Sequence, residues 1–202
     1  MKHTPTIIVL DTETINLQNP FVYELGYVIY DPTADKVLVQ RDNLVREVYK
    51  NRLLFTCAFY NDRKAIYEAE KTPIKKWAKI LKQLARDLKD YNVQEVWAFN
   101  SRFDMKAIAY TAEHIKSKNP LTAIEDIRPL AKTALYDNEY VEFCEEHGFL
   151  TNNNYPKTTA ESYYCYLTKD PEFKEAHRAL DDSMRELCIL NLSKDSAIVP
   201  SI

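Results

Sequence analysis

The apolar positions follow two different periods along the chain. A continuous run rich in β-branched residues, Ile7-Ile8-Val9-Leu10, comes first and predicts a buried strand from Thr6 to Leu10. Strand-like segments follow at Phe21 to Tyr30 and Lys36 to Gln40, separated by the turn-rich Asp31-Pro32-Thr33-Ala34-Asp35, so an antiparallel meander is expected. The charged stretch 43–71 predicts one or two short helices. The spacing then becomes helical: Ile74, Trp77, Ile80, Leu81, Leu84 and Leu88 share one face of a helix ending near Asp90. Thr72 is its expected N-cap and Pro73 its first residue. Glu95 to Phe99 predicts another strand, ending at Asn100, and a helix follows from about Phe103 to Lys116. In the last third, Thr158-x-x-Glu161 has capping-box spacing before Ser162 to Leu167, and a final helix is expected from about Leu180 to Leu192. Strands followed by alternating helix and strand, with no repeat or linker, predict one α/β domain over 1–202 around a mixed sheet.

Composition narrows the function. The formal net charge of -3 argues against a generally basic nucleic-acid-binding protein, but not against an enzyme that meets phosphates through a bound cation. Only Gly26 and Gly148 are glycines, so no P-loop or dinucleotide fingerprint can form. The four cysteines lie far apart, without a Cys-x-x-Cys pair, which speaks for reduced core thiols rather than zinc. No apolar run is long enough to span a membrane, and no signal-peptide region precedes the first strand, so cytoplasmic residence is the expectation.

Acidic residues then supply the chemistry. Asp11 and Glu13 follow the first apolar run two residues apart, so strand alternation points both carboxylates the same way. Side by side they repel, and a divalent cation is the usual remedy. Alone, the pair reads equally well as a solvated turn. Asp104, in Asn100-Ser101-Arg102-Phe103-Asp104, sits where a strand gives way to a helix, the end at which α/β sheets place ligands. His177 and Asp182 bracket the start of the last helix and add a titrating imidazole. Alone, Asp104 and Asp182 read as ordinary helix-start acids.

Taken in order, these segments resemble the DEDDh 3'-5' exonucleases of the ribonuclease H-like superfamily: the DnaQ-like group that includes ribonuclease T, oligoribonuclease and the polymerase III proofreading subunit. Asp11-Thr12-Glu13 matches the Asp-x-Glu motif, Asn100 to Asp104 matches Asn-x-x-Phe-Asp, and His177 to Asp182 matches His-x-x-x-x-Asp. Arg178 stands where the sister DEDDy group has tyrosine. Lys157 to Glu161 also resembles small bacteriophage-encoded exonucleases. The resemblance implies a ribonuclease H-like α/β fold with a five-stranded mixed sheet flanked by helices. It implies two Mg²⁺ or Mn²⁺ ions held by Asp11, Glu13, Asp104 and Asp182, with His177 as general base toward the attacking water. The surrounding carboxylates are expected to raise the His177 pKa.

By the same resemblance the substrate is a single-stranded DNA or RNA 3' end cut to nucleoside monophosphates, with a homodimer as one assembly. Thr14, Leu17, Asn100, Ser101 and Phe103 are the expected substrate contacts. Phe103 and Tyr23 could stack on bases, but core packing is the commoner role for both. Asn16 is expected to take the positive φ of the glycine the family often has after its first motif. Two other classes are open: a nucleic-acid-binding module that has lost catalysis, and a haloacid-dehalogenase-type phosphatase. The first would lack an acid or the histidine, and all five are present. The second requires Asp-x-Asp, which Glu13 does not supply.

Overall fold

The computed structural model describes residues 4–198. Three long strands, β1 (Thr6–Thr14), β2 (Val22–Asp31) and β3 (Lys36–Val45), form the expected antiparallel meander. Short helices α1 (Arg46–Tyr49), α2 (Arg52–Phe55) and α3 (Lys64–Ala69) follow. Next come β4 (Ile74–Lys75), α4 (Trp77–Asp90), β5 (Val93–Ala98) and α5 (Ser101–His114). The chain closes with β6 (Glu125–Asp126), α6 (Ile127–Leu135), α7 (Asn138–His147), α8 (Ala160–Thr168) and α9 (Ala179–Ile198). The sheet order is β4-β3-β2-β1-β5-β6, and β1/β5, β5/β6 and β3/β4 pair in parallel.

The sheet therefore has six strands rather than five. β4 and β6 are two residues each, too short to carry an apolar period of their own. β4 also overturns the expected helix start at Thr72 and Pro73. Leu44 N–H donates to the Pro73 carbonyl at 2.9 Å, and Ile74 and Lys75 pair with Leu44 and Val45. Pairing with the edge of β3 thus overrides a local capping signal, and Lys76 is the true N-cap. The capping box of α8 is displaced by one residue: Thr159 Oγ1 accepts from Ser162 N–H while Ser162 Oγ accepts from Thr159 N–H. Stretch 43–71 holds three short α-helices and a 3₁₀ turn rather than one or two helices.

Strand alternation divides the core. Ile8 and Leu10 face a cluster with α4 and α5 (Trp77, Ile80, Leu84, Ala107, Ile108). Ile7 and Val9 face a second cluster with α6 to α9 (Ile127, Tyr140, Tyr163, Leu187, Ile189). Asp11 and Glu13 continue the parity of Ile7 and Val9, so they lie on the α9 side of the sheet. Cys144 and Cys165 are buried, Cys188 is half-buried and Cys57 is exposed; all four are free thiols. Cys57 is thus the exception to the expectation of core cysteines. No helix among the described residues is long and apolar enough to cross a membrane.

Candidate active site

Register and one glycine bring the two ends of the chain together. Asp11 pairs with Gly26 across the β1–β2 ladder. A Cβ at Gly26 would overlap the backbone of Ala179 and Leu180, so the first turn of α9 rests directly on β2 there. Ser183 Oγ donates to the Gly26 carbonyl at 3.2 Å and fixes the contact. Asp182, on that first turn, is thereby set beside Asp11 and Glu13. A cleft of about 310 Å³ is lined by Asp11, Glu13, Asn100, His177, Asp182 and Glu186, among others. The sequence reading ended the first strand at Leu10. In the structure the ladder continues through Asp11 and Glu13 to a bulge at Glu13/Thr14, so both acids have ladder-fixed backbones.

Asp104 does not line the cleft. It is buried at the start of α5, and its Oδ1 accepts from the Thr12 hydroxyl at 2.7 Å. Thr12 points to the α5 side of the sheet, which is how β1 holds both sets of acids. Burial pushes the Asp104 carboxyl up to about 7, even though the Thr12 hydroxyl pulls it down. Burial and then the charge of Asp104 push Asp11 well above the usual carboxylate range. Glu13 is raised by burial and by Glu24 and Asp182. Asp182 is raised to about 6 by burial, against the pull of Arg185, its ion-pair partner.

Ligand atoms of Glu13, His177 and Asp182 lie within 4.8 Å of one another, a spacing that suits a metal ion. Carboxylate oxygens crowded and raised in this way fit a hard divalent cation, whose charge would relieve their repulsion. The pKa of His177 moves opposite to expectation. Burial and the nearby guanidinium of Arg63 hold it below its ordinary value, with Glu161 opposing. The carboxyls nearest to it are themselves raised by burial, so they exert less of the expected pull.

Among the expected substrate contacts, Asn100 lines the cleft. It caps α5 at φ +64°, and its N–H donates to Asp126 Oδ1 at 3.0 Å. Thr14 and Ser101 are buried, Phe103 is half-buried, and none of the three lines the cleft; Phe99 does. Leu17 is 57% exposed, outside the cleft lining. Tyr23 is fully buried and packs edge-on against Phe55, so it belongs to the core. Asn16 is absent from the positive-φ residues; its Oδ1 instead accepts from Asn19 N–H at 2.6 Å, closing the turn with a side chain.

Several cleft residues escaped the sequence reading. Glu186 is buried, lines the cleft, and accepts from Phe99 N–H at 3.1 Å. It stands four residues after Asp182, one helical turn along the same face, and that spacing was a usable signal. Glu175 lies two residues before His177, raised to about 7 by burial and by Asp182. Arg128 and Thr158 form the far wall, joined by a 3.1 Å hydrogen bond.

No family model matches the chain, and no curated protein does. Solved structures match across almost its whole length. Product-bound exonuclease I aligns with a TM-score of 0.62 at 14% identity, over 96% of this chain and 44% of its own. The fold is shared with exonuclease I. E. coli exonuclease I in complex with a dA16 oligonucleotide gives 0.59 at 15% identity, over 95% of this chain and 41% of that one. Cell-death related nuclease 4 (CRN-4) gives 0.57 at 22% identity, over 94% and 64%. The chain thus spans less than half the length of exonuclease I and 64% of CRN-4.

Proposed function

We propose that this chain is a divalent-metal-dependent 3'-5' exonuclease that hydrolyses single-stranded DNA or RNA to nucleoside monophosphates. The observation that carries it is the gathering of Asp11, Glu13, Asp182 and His177 in one cleft, with Asp104 beneath, from three distant segments of a nuclease-like fold. E. coli exonuclease I binds dA16 and dT13 in solved complexes, which supports a single-stranded substrate here.

Asp11, Glu13, Asp104 and Asp182 are the proposed ligands of two Mg²⁺ or Mn²⁺ ions. When bound, the ions would neutralise the charge that develops on the phosphate and leaving oxygens. His177 Nδ1 faces Glu175 at 3.9 Å, which leaves Nε2 to take the proton of the attacking water. That water forms the new bond to phosphorus, the bond from phosphorus to the 3' oxygen breaks, and the released hydroxyl gains a proton from solvent. A lowered imidazole pKa keeps His177 neutral and able to accept a proton at pH 7. Asn100, set in its left-handed cap, is the proposed contact to the substrate backbone.

The test is digestion of 5'-labelled single-stranded DNA and RNA, side by side, in Mg²⁺, Mn²⁺ and excess chelator. Stepwise shortening from the 3' end with release of mononucleotides in metal, and none in chelator, is expected. A 3'-blocked strand resists. Full activity in chelator, or release from the 5' end, overturns the proposal.

A further inference from the structure

Residues 51–63 take no part in the three acid motifs, yet they reach the proposed general base. The Tyr60 ring lies flat on the imidazole of His177, with centroids 4.1 Å apart and planes 8° from parallel. The guanidinium of Arg63 is 5.9 Å from the centroid of the same tyrosine.

The loop beneath Tyr60 is anchored. Asn51 caps α2, and Phe55, the last residue of that helix, packs edge-on against core Tyr23 at 5.4 Å. Asn61 Nδ2 donates to the carbonyls of Thr56 and Ala58 at 3.0 and 3.2 Å, which closes the turn beside Tyr60. His177, by contrast, sits on an irregular stretch between α8 and α9 at φ +50°, where no helix or strand sets its direction. Its carboxylate contact on that stretch, Glu175 at 3.9 Å, exceeds hydrogen-bond length, so it does not hold the ring in one orientation.

We propose that Tyr60 is a positioning residue for His177: the face of its ring fixes the plane of the imidazole and so the direction of the nitrogen that faces the cleft. The kinetic side of this inference rests on the exonuclease reading above. Stacked aromatic pairs carry an orientation preference beyond their buried area, and general-base catalysis is sensitive to small misplacement. The ring face, rather than the hydroxyl, is the working part.

Tyr60→Leu and Tyr60→Phe are compared with wild type in kcat, KM and melting temperature. The ring-proton resonances of His177, assigned by their loss in His177→Ala, are followed in parallel. Tyr60→Leu is expected to lower kcat about tenfold, the scale of one lost aromatic pair, with KM within about twofold. Its His177 resonances lose the ring-current displacement that Tyr60→Phe retains, and Tyr60→Phe keeps kcat within about twofold of wild type. A normal kcat in a folded Tyr60→Leu, or equal damage in both variants, overturns the inference while the exonuclease reading stands. If wild type cleaves no nucleic acid, the resonances decide alone: unchanged His177 shifts in Tyr60→Leu overturn the stacking role.

Discussion

Two groups of buried carboxylates sit side by side on the sheet and are balanced in opposite ways. Glu13 and Glu24 are direct partners across the β1–β2 ladder. Glu24 belongs to a group with its own cation: Arg178 meets Glu24 at 3.0 Å, Asp42 at 2.9 Å and Glu70 at 2.7 Å, and lies over the ring of Tyr67. Burial opposes the guanidinium charge there, but the carboxylates more than offset it and raise its pKa. Glu13 belongs to the cleft, where Arg185 pairs with Asp182 and the acids otherwise repel. Adjacent residues divide the two: His177 serves the cleft and Arg178 the internal network. The first group is balanced within the protein by its own cation. The second stores repulsion that a cation from solution can relieve, so removing a charge should have opposite consequences in the two places.

The largest contrast comes from the cleft. Asp11→Asn should lower the rate by about 10³-fold or more, because a carboxylate that would hold the ions supports several kcal/mol of charge stabilisation. In chelator at pH 8, however, the same variant should melt above wild type, since one repelling charge is gone. Activity assays in Mg²⁺ beside melting curves in chelator check both halves. A large fall in melting temperature would make Asp11 a structural acid.

Arg178→Met should do the reverse. It leaves the buried carboxyls of Glu24 and Asp42 without a cation, with only the Tyr67 hydroxyl still donating to Glu24 at 2.6 Å, and the loss should be about 3–5 kcal/mol by chemical denaturation. Glu70 is half exposed and contributes little to that figure. A near-neutral result would mean that the network is no more than geometric.

This contrast was only partly legible in the sequence. Asp11 and Glu13 could be placed on one face because strand alternation is rigid, and the His177 to Asp182 spacing survived because α9 begins within one residue of its expected start. Arg178 was read only as a missing tyrosine; its three acid partners come from β2, β3 and the end of α3, which no local pattern connects. Gly26 gave no signal either, because its role is a close approach between a strand and a helix distant in sequence. Tyr60 lay in a stretch without a clean period, where short helices packed on the core defeat pattern reading. Asp104 was expected among the metal ligands; its carboxylate meets the Thr12 hydroxyl on the other strand face and does not line the cleft, which no local pattern showed.

Acid titration should sharpen the comparison further. Asp104, Asp182 and Glu175 have folded values of about 7, 6 and 7, above their ordinary values of 3.8, 3.8 and 4.5. A raised acid contributes stability that is present below its unfolded pKa and lost as pH rises through the folded one. In chelator, the melting temperature should therefore fall between about pH 4 and pH 7.5. Saturating Mg²⁺ should flatten that slope, because the bound ion favours the ionised carboxylates. A melting temperature that rises across this window in chelator would show that the cleft acids are balanced within the protein.

The smallest expected effect is at Glu175, which borders the cleft without lying among the motif acids. Glu175→Gln keeps the shape and removes the charge. By the same sign, wild type and variant should match near pH 4.5 and diverge as pH rises towards 7, levelling off above it, the variant gaining about 1 kcal/mol once exposure is discounted. Activity should fall only about threefold, because the carboxylate stands 3.9 Å from His177 and does not hold the ring by a hydrogen bond. The pH series of melting curves for both proteins in chelator, with rates in Mg²⁺ at pH 7.5, reads the two together. A hundredfold loss of rate would place Glu175 among the groups that act directly on the proton or the metal, and would move the boundary of the unbalanced cluster one residue pair further from the helix.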